Sequence, residues 1–479
     1  MKINFTWLLM AGILLAPATA QTKTTQTTKA PTFQGTALAG SMAQKANGSP
    51  VCGLGKDFHA GRRAELRSRL EPGVVVLRGL PKVGDYRAFQ QDKNFWYLTG
   101  VESPDVSMIM DVVTGKEILF VNKPSSFTEQ WVGEIWDTDD EWIRELTGIQ
   151  DLRRQRDLGK AIKELLDEGE VLYTVQTPAV ALAGCYDAAE PYAKARTRDK
   201  FDGRLSREGA LKAKLEERYK VDVEDLTKTL RDMRVIKEEA EIDAIRRASR
   251  AGGLAMMEGI RSTRPGLGEW ELASLISWVQ RRHGATGDAY AAIVGSGANS
   301  LVLHYQDSTR SMGDGEVVLV DFGPEVDHYV TDITRTWPVN GKFSERQAEL
   351  YDAVLDAQAA GIEAAKPGGS LRGVNAACSK VLQDRGFGEF MAHGAVHWVG
   401  MEVHDPGSGG GDLKPGMVFT IEPGLYEQAT GIGIRIEDVV AITETGCEVL
   451  SRDCPKDRAS LEALYRQEGV LDLMDKTVE

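Results

Sequence analysis

One stretch of this chain occurs twice. Arg264-Pro265-Gly266 returns as Lys366-Pro367-Gly368, and His304 returns as His404. Gly313-Asp314-Gly315-Glu316-Val317-Val318 returns as Lys414-Pro415-Gly416-Met417-Val418-Phe419. Each offset is about a hundred residues, and two copies of that length imply one internally duplicated domain, not a solenoid. Both copies run into an acidic residue at the end of an expected strand: Asp321 in Leu319-Val320-Asp321-Phe322-Gly323, and Glu422 in Thr420-Ile421-Glu422-Pro423-Gly424. A second acid follows in each, Asp332 and Glu437. Two half-domains arranged about a pseudo-two-fold axis would bring these four carboxylates together at the centre.

The remainder of the chain frames that domain. With 479 residues, more than one domain is expected. Residues 1–20 read as a signal peptide: Lys2, an apolar run around Leu8–Leu14 that is short for a membrane span, and Ala18-Thr19-Ala20 before a cleavage point at Gln21. The mature protein is therefore expected to be exported, periplasmic or secreted, without stable membrane insertion. Residues 21–54 lack large apolar side chains over most of their length and read as a disordered linker. A first domain over 55–235 has a helical segment, His59 to Leu70. Strands are expected at Val74–Leu77, Phe95–Leu98, Val106–Val112 and Glu117–Val121, with Thr114-Gly115 turning between the last two. Residues 205–260 are helical in period, with no Pro or Gly from Ala210 to Ala251, and connect to a second domain over 236–460. Residues 461–479 form a C-terminal tail. The fold class is thus α/β (α+β): a mixed α/β domain followed by the duplicated one. The net charge of −14 argues against nucleic acid, whose phosphates call for a basic surface. Of the five cysteines only Cys447 and Cys454 stand close in sequence; paired and free states are both open.

Four carboxylates share a buried site only if positive charge compensates them; otherwise mutual repulsion drives them toward the neutral acid. A pair of divalent cations meets that need. Carboxylate oxygens suit hard ions such as manganese, and one imidazole, His397 in His393-Gly394-Ala395-Val396-His397, widens the choice to zinc, cobalt or iron. On a helix, the spacing of four would put His393 and His397 on one face. Two such ions together hold and deprotonate a bridging water and polarise the carbonyl it attacks, which fits peptide hydrolysis. Each residue taken alone also has an ordinary reading. Asp332 could cap a turn, Glu437-Asp438 could be a solvated pair, and His393 could be a satisfied core histidine. Of the seven histidines, however, His304, His393, His397 and His404 all lie among the duplicated acids.

These segments resemble the paired motifs of the pita-bread metallopeptidases: Asp321-Phe322-Gly323, Asp332-Ile333-Thr334-Arg335-Thr336, His393-Gly394-x-x-His397, Val403-His404-Asp405, Ile421-Glu422-Pro423-Gly424 and Ile434-Arg435-Ile436-Glu437-Asp438, in the family's order. The segment Phe89 to Gly100 resembles the N-terminal domain of aminopeptidase P. The resemblance implies that Asp321 chelates one metal, Asp332 and Glu437 bridge both, and His397 and Glu422 hold the other. It implies that Glu422 handles the proton of the bridging water and that His304 and His404 flank the substrate. It also implies that His393 lines the proline-side pocket, that Arg435 supports the metal carboxylates, and that Tyr426 joins the pocket.

Within that family, methionine aminopeptidases match only the catalytic half. Creatine amidinohydrolases and non-catalytic binding modules lack the ligands, all of which stand here. Aminopeptidase P and prolidase remain. The first domain favours the former, and residues 406–421 hold no Arg of the kind that clamps a free proline carboxylate in prolidases. The expected activity is Xaa-Pro aminopeptidase, acting on peptides with proline in second place. Prolidase is the alternative, and a catalytically silent peptide- or protein-binding module is the alternative of another class. Relatives commonly associate, so a homo-oligomer, dimer or tetramer, is expected. Trp131, Trp136 and Trp142 are expected to pack within their own domain, a subunit surface being the other reading.

Overall fold

The structure, a computed structural model, describes residues 51–82, 88–166, 170–180, 185–407 and 409–475. The signal sequence and most of the linker expected over 21–54 lie outside the described residues. The first domain is built on β1 (Gly73–Arg78), β2 (Ser107–Asp111), β3 (Glu117–Val121), β4 (Asp151–Arg154), β5 (Val171–Thr174) and β6 (Val223–Asp225), in the order β4-β3-β2-β1-β5-β6. β1, β2 and β3 pair antiparallel, while β4, β5 and β6 join parallel. Val74 and Val76 enter one apolar cluster, and Val75 and Leu77 enter another. Both faces of β1 are covered, which is why it reads as an unbroken apolar run.

Three sequence expectations fail in this domain. Phe95–Leu98 is not a strand but part of a helix, Lys93–Thr99, capped by the Asp92 side chain and closed by Gly100 at φ 73°. All of Phe95, Trp96, Tyr97 and Leu98 are buried, so the segment shows no amphipathic period, and a short apolar run is ambiguous between helix and strand. The helical connector is also interrupted. It consists of Arg207–Tyr219, Thr227–Arg234 and Glu239–Ser262, with β6 between the first two. Lys220 in the left-handed region (φ 60°) ends the first piece without any Gly or Pro to announce it. Trp136 and Trp142 pack edge to face at 4.7 Å, as expected, whereas Trp131 is 74% exposed.

The second domain repeats one plan twice. The helices Glu239–Ser262 and Glu269–Arg282 precede β7 (Gly287–Asp288), β8 (Ile293–Ser296), β9 (Val317–Phe322), β10 (Pro324–Val326), β11 (Tyr329–Val330) and β12 (Ile333–Pro338). The helices Glu345–Ala364 and Leu371–Asp384 precede β13 (Val418–Ile421), β14 (Gly424–Glu427), β15 (Ile432–Arg435), β16 (Asp438–Ile442) and β17 (Cys447–Val449). The repeated Pro-Gly turn joins each helix pair, with Gly266 at φ +90° and Gly368 at φ +79°. In both, the glycine N–H donates to the equivalent carbonyl further on, Met312 at 2.8 Å and Leu413 at 3.0 Å. The sheets β12-β9-β8 and β13-β16-β17 are both antiparallel.

The halves join where β12 runs beside residues 435–437. Glu437 N–H donates to Thr334 O (3.1 Å), and Arg435 N–H donates to Thr336 Oγ1 (3.2 Å). Behind this seam the fully buried Arg335 donates to Asp438 Oδ1 (2.8 Å) and to the carbonyls of Glu437 and Cys454. Asp438 also accepts from Ser451 and Lys456, so Glu437-Asp438 is a buried, partnered pair and not a solvated one. The segment placed in a tail after 460 carries helices through Asp475 among the described residues: Arg458–Tyr465 crosses that boundary with Leu461 in the core, and Val470–Asp475 follows. All five cysteines are free thiols, and Cys447 and Cys454 are not bonded to each other.

Candidate metal centre

Strand register gathers the acids. Phe322 on β9 pairs with Ile333 on β12, which sets Asp321 near Asp332. Ile421 on β13 pairs with Asp438 on β16, so one step outward Glu422 meets Glu437. The seam between the halves then brings the two pairs together. The expected helix carrying His393 and His397 does not form. Residues 395–398 run extended beside β13, with Glu422 N–H donating to Ala395 O (2.9 Å) and Thr420 N–H to His397 O (2.8 Å). A spacing of four is also two repeats of a strand, so the rings still fall on one side. Both approach Glu422, His393 Nδ1 at 3.8 Å and His397 Nε2 at 3.7 Å.

The His397 ring is aimed. Its Nδ1 is 3.2 Å from Trp398 O and donates there, which leaves Nε2 as the nitrogen facing the acids. Nε2 faces Asp332 Oδ2 at 3.5 Å, Glu437 Oε1 at 3.6 Å and Glu422 Oε1 at 3.7 Å. Those distances are too long for hydrogen bonds. Donors that share an ion at about 2.1 Å stand about 3.0–3.4 Å from one another, close to this spacing. Glu437 Oε1 is buried and has no hydrogen-bond partner, a costly state for a carboxylate oxygen unless a cation meets it. Its other oxygen accepts from Thr334 Oγ1 (2.7 Å). The residues therefore fit divalent ions.

On the opposite flank, Arg435 Nη2 lies 2.6 Å from Asp321 Oδ2. The Tyr290 hydroxyl contacts both Asp321 and Asp332. Arg435 Nη1 also donates to the Tyr426 hydroxyl (2.8 Å), which lies 2.8 Å from His393 Nε2. His393 Nδ1 donates to Gly394 O (2.9 Å), so Nε2 accepts from Tyr426. A continuous chain thus runs Asp321–Arg435–Tyr426–His393. His404 stacks on His397 with centroids 4.1 Å apart, and its neighbour Asp405 is fixed by Arg234 (2.6 Å) and Lys237 (3.0 Å). His304 is exposed and stands one residue after Leu303, whose carbonyl accepts from Arg435.

Burial and repulsion divide the acids. Burial, then Glu437 and Asp321, hold Asp332 well above the ordinary carboxylate range. Burial and Glu437 push Glu422 up to about 8. Burial would likewise raise Asp321, but Arg435 and the Tyr290 hydrogen bond outweigh it and leave Asp321 below its ordinary value. Burial would lower His397, yet Glu437 and Glu422 raise it to about 9. Burial lowers His393 and raises Tyr426 to about 12, so both are neutral partners near pH 7.

Three participants escaped sequence reasoning. Tyr290 stands in Asp288-Ala289-Tyr290-Ala291, outside the repeated blocks, and carried no signal. Thr334 follows Asp332 at strand period two and so shares its face, a signal that was available. Asp187, 3.0 Å from His404 Nδ1, comes from the first domain and had none.

Comparison with known proteins agrees with this geometry. Residues 243–444 match the model of metallopeptidase family M24, and residues 59–173 match the aminopeptidase P N-terminal domain. The Xaa-Pro aminopeptidase of Escherichia coli is 31% identical over 442 residues, covering 84% of this chain and 96% of that protein. An Xaa-Pro dipeptidase of Pyrococcus furiosus is 36% identical over 257 residues, covering 52% of this chain and 73% of that protein. The solved structure of a putative aminopeptidase P from Bacillus anthracis superposes with a TM-score of 0.77 at 26% identity, covering 87% of this chain and 99% of that one. The chain belongs to metallopeptidase family M24, with an aminopeptidase P N-terminal domain ahead of its pita-bread metallopeptidase domain.

Proposed function

We propose that this protein is an exported Xaa-Pro aminopeptidase that hydrolyses the bond between an N-terminal residue and a following proline. The observation that carries the reading is the convergence of Asp332, Glu422 and Glu437 on His397 Nε2 beside an unpartnered Glu437 oxygen, with Asp321 linked to Asp332 through the Tyr290 hydroxyl. These five residues would hold two divalent ions, manganese foremost, which when bound acidify water and polarise the scissile carbonyl.

The chain's own groups supply the rest. Glu422 takes the proton released by the attacking water and returns it to the leaving proline nitrogen. His404 and His304 flank the substrate, and neutral His393, oriented by Tyr426, lines the proline side. Arg435 keeps Asp321 anionic, so that carboxylate needs no proton at working pH.

The similarity to an Xaa-Pro dipeptidase keeps prolidase as a second reading, although it spans 52% of this chain. Purified protein should cleave Xaa-Pro-Yaa peptides faster than bare Xaa-Pro, with manganese and not after chelation. Equal or better cleavage of the dipeptide overturns the choice, and a metal-free, inactive protein points to a binding module. No described helix is long and apolar enough to cross a membrane. Export predicts a mature protein beginning at Gln21 in the periplasm or medium, read by N-terminal sequencing. A dimer or tetramer is the expected assembly, checked by light scattering.

A further inference from the structure

His404 is held by parts of the chain that precede the M24 match over 243–444. Its backbone neighbour Asp405 is buried against Arg234 and Lys237. Its ring Nδ1 lies 3.0 Å from Asp187 Oδ2, in the first turn of the helix Tyr186–Arg198. The Cys185 thiol, two residues earlier, meets the His404 backbone. The ring is therefore touched on one side by the first domain, while one face lies against His397 at 4.1 Å and an interplanar angle of 25°.

Stacking leaves an imidazole two orientations in its plane, related by a flip that exchanges nitrogen for carbon at the outer edge. An acceptor at one edge selects between them. Asp187 is acceptor-only when ionised, so it favours the orientation and tautomer with the proton on Nδ1. Nε2 is then the unprotonated nitrogen, free to accept a hydrogen bond. We propose that Asp187 is a positioning residue for His404, through which the first domain completes the catalytic site of its own chain. The consequence for turnover rests on the peptidase reading above; the tautomer does not.

Asp187 is 66% exposed, so solvent screens the pair and a modest effect is expected. D187A should lower kcat/KM for an Xaa-Pro-Yaa peptide about three- to tenfold, at or below the low end of what partners orienting a site histidine contribute. The loss should fall on kcat, with KM and bound metal unchanged. D187N, which still accepts a hydrogen bond, should recover most of it. In an H404A background D187A should cost nothing further. D187A indistinguishable from wild type, or an equal loss in the H404A background, overturns the proposal. Long-range proton–nitrogen NMR on histidine-labelled holoenzyme gives a readout that needs no substrate. His404 should carry its proton on Nδ1 in the wild type and shift toward Nε2 in D187A; an Nε2–H wild type overturns the assignment even if the protein cleaves no Xaa-Pro peptide.

Discussion

Asp321 and Glu422 occupy equivalent places in the two halves of the metallopeptidase domain, yet their chemistry differs in sign. Asp321 is held below its ordinary pKa, while Glu422 is pushed up to about 8. Asp321 is buried and Glu422 partly buried, both beside other acids. The difference lies two residues before the second acid of each half, where the later copy has Arg435 and the earlier has Val330. Arg435 reaches across the seam to neutralise Asp321 at 2.6 Å. Arg435 also lowers Glu422, but burial and Glu437 outweigh it, and the nearby cation is His397 at 3.7 Å. The two halves thus supply matching oxygens, and one difference between them, Arg435 against Val330, makes their electrostatics unequal. A neutralised acid is a permanent anion, whereas an unneutralised one can hold a proton.

The comparison breaks most visibly at the acids shared by the two metals. Asp332→Asn and Glu437→Gln should each lower kcat/KM about a thousandfold, about 4 kcal/mol of barrier, by steady-state assay. A gap of more than about tenfold between them would show that the halves are not equivalent even there.

Removing the ions comes next. At a hundredfold excess over Kd, metal should add about 2.7 kcal/mol to stability, read by thermal melts with and without chelator. The pH dependence has a definite sign. Glu422 titrates near 4.5 when unfolded and about 8 when folded, and His397 near 6.5 and about 9. In both, the metal-free folded state binds more protons, so its stability falls as pH rises through roughly 4.5–9. Metal binding must expel those protons, so the melting shift caused by manganese should grow over the same window. A constant shift would contradict the assigned burial.

Arg435→Met removes the asymmetry itself. Asp321 should lose its neutralising partner, and activity should fall about ten- to a hundredfold with weaker metal binding by calorimetry. Tyr290→Phe, which removes only a hydroxyl from the same flank, should cost less, about tenfold at most. The smallest effects test the symmetry that survives. A Cβ at Gly266 or Gly368 meets nothing within 4 Å, so alanine at either should destabilise by about 1 kcal/mol through backbone strain alone, and equally in both halves.

Much of this is legible in the sequence. The repeated blocks located the four acids because a duplicated strand end carries its carboxylate with it, and register then pairs them. The signal failed where local pattern and environment part company. His393 and His397 were expected on a helix, but the backbone donors of Thr420 and Glu422 pair that segment with β13. Phe95–Leu98 was expected as a strand, but Asp92 and Gly100 cap it as a helix and the core surrounds it. Thr334 was readable from alternation along β12; Tyr290 and Asp187 were not, because nothing near them in sequence marks a distant partner.

By itself, then, the sequence determined the fold class, the family and the ligand types, since periodicity, repetition and residue chemistry are local properties. Tertiary structure alone decided which acid stays charged, which nitrogen of His397 faces the acids, and that a first-domain carboxylate meets His404. Those outcomes depend on burial and on distances between residues far apart in the chain, and Coulomb energy in a poorly solvated interior is set by those distances.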